Sequence, residues 1–257
     1  MIDTHAHYHH RRFDSDREAV LERIQNAGVS KVIEVAISLS SNYDVLSLCE
    51  KYPWMYPALG IHPNQTVLHS ENEADEIIDT LKSLFDKNDA VALGEIGLDY
   101  KRITEEADRA HQRQWFERLI YLGLDVKKPI ILHVRDAAKD AIDILQSFNR
   151  SFRGVVHCYS EDREISRKYM DMGFALGVGG SLTYEMSENI RDAVKGAPMD
   201  MLLLETDAPF LTPLGCEGKN NSANLTAVVS LLSQLKGETQ DAIIGQTTKN
   251  AEVIFGI

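Results

Sequence analysis

Short apolar runs that end in a histidine or a carboxylate recur along the whole chain, and the stretches between them have helical periodicity. The first is the N-terminal Ile2-Asp3-Thr4-His5-Ala6-His7, and further strands are predicted over residues 31–37, 55–59, 90–95, 129–133, 154–157, 174–177 and 201–207. Helices are expected from a Ser15 or Asp16 cap to about Ala27, from the polar run Ser38 to Asn42 down to Lys51, and near 73–86, 106–124, 136–148, 163–172, 188–195, 223–236 and 240–255. Strand and helix alternating without a linker, with strands apolar enough to be buried on both faces, demand a parallel sheet. Polar groups follow several different strands, which suits a closed (β/α)8 TIM barrel, where all strand ends converge on one face. An open doubly wound sheet gathers its chemistry at one switch point, usually with a glycine-rich phosphate loop, and no GxGxxG follows the first strand here. The 257 residues match the roughly 250 of such a barrel, so one domain over residues 1–257 is expected.

The charge balance constrains partners. With 27 Lys+Arg against 39 Asp+Glu the formal net charge is −12, which counts against a protein that coats nucleic acid through a broad basic surface. It leaves room for an enzyme that grips a phosphate through metals and a few local arginines. No apolar run approaches the roughly 18 residues of a membrane span. The acidic, histidine-rich start is unlike a secretory signal, and Cys49, Cys158 and Cys216 are odd in number and far apart. A reduced, cytoplasmic protein without membrane attachment is expected.

Alternation along a strand puts Asp3, His5 and His7 on one face, and neutral imidazole is the commonest ligand of divalent metals. His62, Glu95, His133, His157 and Asp207 follow later strands. Each has an ordinary alternative taken singly. Glu95 stands beside the turn-forming Gly94 and Gly97, His157 can bond backbone beside Cys158, and Asp207 before Ala208-Pro209 can start a turn. Together, at the same end of successive strands, they are best explained by a metal centre.

The motifs Asp3-Thr4-His5-Ala6-His7, Gly60-Ile61-His62-Pro63, Gly94-Glu95-Ile96-Gly97-Leu98-Asp99-Tyr100, His133-Val134-Arg135-Asp136-Ala137, His157-Cys158-Tyr159-Ser160 and Glu205-Thr206-Asp207-Ala208-Pro209 resemble, in order, those of the TatD family of metal-dependent deoxyribonucleases. The ending Thr247-Thr248-Lys249-Asn250 with Phe255 is similar too. The resemblance implies that His5, His7, Glu95 and Asp207 hold one metal and that Glu95, His133 and His157 hold another, with Glu95 bridging. It also implies single-stranded DNA as substrate, cleaved from the 3′ end, with His62 and Arg135 on phosphate. Imidazoles with carboxylates suit Zn²⁺, Mn²⁺, Mg²⁺ or Ni²⁺, and two such ions can clamp both oxygens of a displacement and activate water near neutral pH. Glu95 and Asp207 are then the catalytic carboxylates, with Asp207 as base. Many related amidohydrolases bridge their metals with a carbamylated lysine after strand four, whereas Glu95 makes that unnecessary. A hydrolase of another bond, such as an aminoacyl-tRNA ester or a small amide, is the alternative; a metal-binding barrel without activity fits less well. A monomer is compatible with the sequence.

Two departures from the family pattern stand out. The run after His7 is Tyr8-His9-His10-Arg11-Arg12, where Tyr8 is expected to pack and His9 and His10 to be exposed loop residues. The usual Arg-Asn-Glu-Pro segment reads Lys219-Asn220-Asn221-Ser222, expected at the pocket rim and bearing on substrate preference. Lys101 and Arg102 are expected as a solvated pair that adds positive charge at the mouth.

Overall fold

Strands form where β-branched and leucine runs are too short for a helix and flanked by glycine, proline or polar turns. The computed structural model describes residues 1–257. Its strands are β1 (Ile2–Ala6), β2 (Lys31–Val35), β3 (Met55–Leu59), β4 (Ala92–Asp99), β5 (Ile130–Arg135), β6 (Gly154–Val156), β7 (Phe174–Val178) and β8 (Leu202–Leu204). They lie side by side in sequence order as one eight-stranded parallel sheet. The sheet curls until β8 meets β1, where Ala6 bridges to Ala208, the Asp207 amide donates to the His5 carbonyl at 2.9 Å and the His7 amide to the Ala208 carbonyl at 2.8 Å. The fold is a TIM barrel.

Helices α1 (Arg17–Asn26), α2 (Leu39–Lys51), α3 (Pro63–Thr66), α4 (Glu71–Lys87), α5 (Glu106–Val126), α6 (Ala138–Ser147), α7 (Arg163–Asp171), α8 (Glu188–Gly196), α9 (Leu225–Lys236) and α10 (Gln240–Phe255) connect and cover the strands. Their starts are chemically specified. The Ser38 hydroxyl accepts from the Ser41 amide, and the Asp162 carboxylate accepts from the amides of Glu164 and Ile165. No helix is long and apolar enough to cross a membrane.

The observed elements differ from the predicted ones where glycines and strand ends mislead. β4 does not stop at Glu95 but runs on to Asp99. Its pairing with β5 passes from Leu93 against Ile130 to Ile96 against Leu132, so β4 carries an extra residue there, a bulge. Gly94 and Gly97, at φ 153° and 147°, allow that bent path rather than a turn out of the sheet. β5 likewise extends to Arg135, whereas β2 ends at Val35 and β8 at Leu204, earlier than expected. The short α3 after His62 was not predicted.

The bottom of the barrel is apolar. Ile33, Ala58, Ile131, Val155, Ala175 and Leu203 pack in one buried cluster with Ala251 and Phe255 of α10. Because strand side chains alternate, the next positions on the same track are Gly60, His133, His157, Gly177 and Glu205. β5, β6 and β8 thus pass from apolar filling to polar chemistry in two residues, which places the site at the C-terminal mouth.

Candidate metal centre

Four groups converge just above that apolar layer. His5 Nε2 lies 3.2 Å from His7 Nε2 and 3.8 Å from both Glu95 Oε1 and Asp207 Oδ1. His7 Nε2 is 3.6 Å from Glu95 Oε1 and 3.2 Å from Asp207 Oδ1. Donors held about 2.1 Å from one ion in a tetrahedron lie about 3.4 Å apart, so these five separations are close to the edges of a tetrahedral metal cage. The second oxygen of the same carboxylate faces another pair. Glu95 Oε2 lies 3.1 Å from His133 Nδ1 and 3.2 Å from His157 Nε2, and those two nitrogens are 3.4 Å apart. Glu95 therefore turns one oxygen to each cluster, and both donor sets fit divalent ions.

Hydrogen bonds on the far side of each ring decide which nitrogen carries a lone pair. His7 Nδ1 donates to the Val35 carbonyl at 2.8 Å, leaving Nε2 free to ligate. His157 Nδ1 faces Glu205 Oε1 at 3.5 Å, and His133 Nε2 faces Asp99 Oδ2 at 3.5 Å. Such imidazole–carboxylate pairs orient a ring and raise its basicity toward a metal. His62 is wired the opposite way. Its Nδ1 accepts from the Asn64 amide at 3.0 Å, so the proton sits on Nε2 and that nitrogen is a donor. Two other triples, His5 with His157 and Glu205, and His62 with Glu95 and His133, also come within 4.8 Å. The hydrogen bonding disfavours both, since Glu205 sits behind His157 and His62 presents an N–H.

The buried charges perturb one another strongly. Burial and the neighbouring His157 hold His5 well below the ordinary imidazole range, and burial with His133 lowers His62 to about 3. Burial also opposes charge on His7, but Asp207 and Glu95 outweigh it and raise His7 to about 9. Glu95 would be pushed up by burial, yet the imidazoles of His62, His157 and His133 hold it well below the usual carboxylate range. His157 is raised well above its ordinary value because Glu95 and Glu205 outweigh burial.

Three further carboxylates belong to this arrangement: Asp99 and Glu205, which alternation and strand ends did not single out, and Asp3, which shares the strand face of His5 and His7. Asp99 receives hydrogen bonds from Asn64 Nδ2 at 2.9 Å and the Arg102 amide at 3.0 Å while it faces His133. Glu205 accepts from the Cys158 amide, and a Cβ at Gly177 would lie 2.1 Å from Glu205 Oε2, so the glycine makes room for it. Asp3 is buried below the histidines, accepting from the Thr206 hydroxyl at 2.6 Å and the Ser222 hydroxyl at 2.5 Å. Burial, offset by those hydroxyls, raises it to about 7. Period-two spacing before His5 and Asp207 was the available signal for Asp3 and Glu205.

Tyr8 is fully buried, and its hydroxyl meets the Ser222 hydroxyl at 2.7 Å. Asn220, Asn221 and Ser222 are buried too, beside Thr206 and Asp3, so this segment is a brace beneath the site and not the rim that was expected. His9 is not an exposed loop residue: its Nδ1 lies 2.6 Å from the buried Glu34 carboxylate. His10 is half-buried and caps the turn after it by accepting from the Arg12 amide.

Above the centre opens a cavity of about 710 Å³, lined among others by His62, Asp207, Arg12, Arg102, Arg135 and Phe210. Its floor is acidic and imidazole-rich and its mouth is cationic. Arg102 and Arg135 reach no carboxylate; Lys101 and Arg102 are both exposed, as expected, but only Arg102 lines the cavity, while Lys101 lies 3.8 Å from the Asp136 carboxylate.

Relatives share this whole architecture. A family model described as TatD related DNase matches residues 2–256. The uncharacterized metal-dependent hydrolase YabD of Bacillus subtilis is 33% identical over 259 residues, covering 100% of this chain and 99% of the relative. The crystal structure of YjjV, a TatD homolog from Escherichia coli, superposes with a TM-score of 0.91 at 32% identity, over 100% of this chain and 98% of that one. A TatD family hydrolase from Entamoeba histolytica, at 22% identity and a TM-score of 0.87 over 99% of this chain and 97% of that one, shares the fold. Barrel, site geometry and relatives agree that the chain belongs to the TatD family of metal-dependent hydrolases.

Proposed function

We propose that the whole chain acts as one hydrolase domain that cleaves phosphodiester bonds of DNA, removing nucleotides from the 3′ end of single strands. His5, His7, Glu95 and Asp207 would hold one divalent ion and Glu95, His133 and His157 a second. Such ions supply Lewis acidity and lower the pKa of water at the reacting phosphorus. The chain's own groups do the rest. Asp207, whose side chain keeps 18% exposure, is reached by water and accepts the proton of the attacking molecule. His62 Nε2–H and the Arg135 guanidinium donate to phosphate oxygens as they gain charge.

One observation carries the reading. In a protein of net charge −12, three guanidiniums without carboxylate partners, Arg12, Arg102 and Arg135, line the mouth of the cavity over the acidic floor. That separation of charge suits a polyanion approaching a cationic centre. Lysine keeps charge at residue 135 but not the bidentate fork, so Arg135→Lys should lower kcat/KM on a 3′-labelled oligonucleotide about ten- to a hundredfold. An uncharged ester gives Arg135 nothing to hold and should be little affected. Equal losses on both substrates would remove Arg135 as a phosphate clamp, and turnover of the ester alone would replace the nuclease by a hydrolase of esters or amides.

A further inference from the structure

The cavity mouth is not uniform. In a closed barrel with strands in the order β1 to β8, the β8–β1 seam lies across from β4 and β5. Arg102 and Arg135 stand at the β4–β5 edge, and Phe210 stands at the seam. Phe210 keeps 40% of its surface exposed at the mouth of a largely polar cavity. Its ring centre is 5.4 Å from the His10 ring, 6.4 Å from the His7 ring and 5.7 Å from the Arg12 guanidinium carbon.

The backbone that carries the ring is also held firmly. The Phe210 amide donates to the Asp207 carbonyl at 2.8 Å, tying it to a proposed metal ligand. On either side the buried Asn220 braces the chain, its amide donating to the Pro209 carbonyl at 3.2 Å and its Nδ2 to the Leu211 carbonyl at 3.2 Å. Met186 and Leu214, the other exposed apolar residues on these neighbouring loops, do not line the cavity. A half-exposed aromatic ring on a braced backbone, with a guanidinium beside it and the proposed phosphate-binding centre one step away, has the parts of a base-stacking platform.

We propose that Phe210, with Arg12 beside it, stacks on the base of the nucleotide being released. The terminal nucleotide then lies toward the β8–β1 seam, and the rest of the strand leaves across Arg102 and Arg135. This rests on the phosphodiesterase reading, and it adds that the base is sensed at one position only.

The test compares single-stranded oligonucleotides ending in thymidine with the same strands ending in an abasic tetrahydrofuran residue, read at the first cleavage. Wild type should prefer the thymidine end by about tenfold or more in kcat/KM. That ratio should collapse toward one in Phe210→Ala and survive in Phe210→Trp, with melting curves confirming that both variants fold. An abasic residue placed several nucleotides inward should leave the ratio unchanged. A ratio equal in wild type and Phe210→Ala, or sensitivity at the inner position, overturns the platform. If wild type degrades no oligonucleotide, the phosphodiesterase reading fails, and calorimetry judges the platform separately. Thymidine 5′-monophosphate should then bind wild type about tenfold more tightly than 2-deoxyribose 5-phosphate, with the difference lost in Phe210→Ala. Equal binding of the two by wild type overturns the inference.

Discussion

Asp207 sits at left-handed φ (57°), its backbone amide fixed by the His5 carbonyl and one carboxylate oxygen 3.2 Å from His7. A proposed base in so constrained a place is sensitive to charge more than to shape. Asp207→Asn keeps the shape and should lower turnover at least about a hundredfold, in line with general-base contributions. Metal content by atomic emission should stay near wild type, because the other proposed ligands remain; near-normal turnover would place the base elsewhere. At this scale the sequence was informative about side chains that end strands, since alternation and strand ends are local properties. His5, His7, Glu95, His133, His157 and Asp207 were legible for that reason, and the structure brings them together. Asp3 and Glu205 were harder to assign because their roles depend on what faces them across the barrel: Thr206 and Ser222 for one, His157 for the other. The same reason explains the misplaced 219–222 segment, whose polar composition suggested a rim but whose Asn220 and Ser222 find buried partners.

Among the elements, β4 is the one whose local signals and tertiary role conflict. Gly94 and Gly97 read as turns in sequence, yet they let a strand bend close to its neighbour and aim Glu95 at both histidine pairs. A Cβ at Gly97 would lie 1.9 Å from the His133 carbonyl oxygen, and φ there is 147°. Gly97→Ala must therefore push β4 away from β5 and separate Glu95 from His133. The expected loss is about 2–5 kcal/mol in urea unfolding, from backbone strain plus overpacking. Weaker metal binding by calorimetry should accompany it; a variant with wild-type stability and affinity would show that the bulge is not what sets the carboxylate. The remaining strands and most helices were legible because their apolar periodicity agrees with their burial. Only their ends moved by a few residues, where caps rather than periodicity decide.

For the whole molecule, the buried core includes one apolar cluster of 46 residues and a second of 12 under the site, far more than a metal-dependent mini-domain buries. Chelation should accordingly abolish hydrolysis while far-UV circular dichroism and a cooperative melt persist, unlike a zinc finger. Loss of the melt on chelation would contradict this. Proton linkage gives an independent check. In the metal-free protein His7, raised to about 9 from 6.5, holds a proton at neutral pH that an incoming ion must displace. Metal binding should then release protons, seen as buffer-dependent calorimetric heats, and tighten as pH rises toward about 9. The sign reverses for metal-free stability. A raised imidazole contributes fully below its unfolded value and loses that contribution as pH rises through about 9, so metal-free melts should soften there. The barrel seam has one more consequence. The proposed ligands of one ion come from both sides of the closure, His5 and His7 from the first strand and Asp207 from just past the last. A chain emerging from the ribosome presents His5 and His7 at once but gains Asp207, the proposed base, only after all eight strands have been made. Under the proposed assignment, this centre assembles only once the last strand has closed the barrel onto the first.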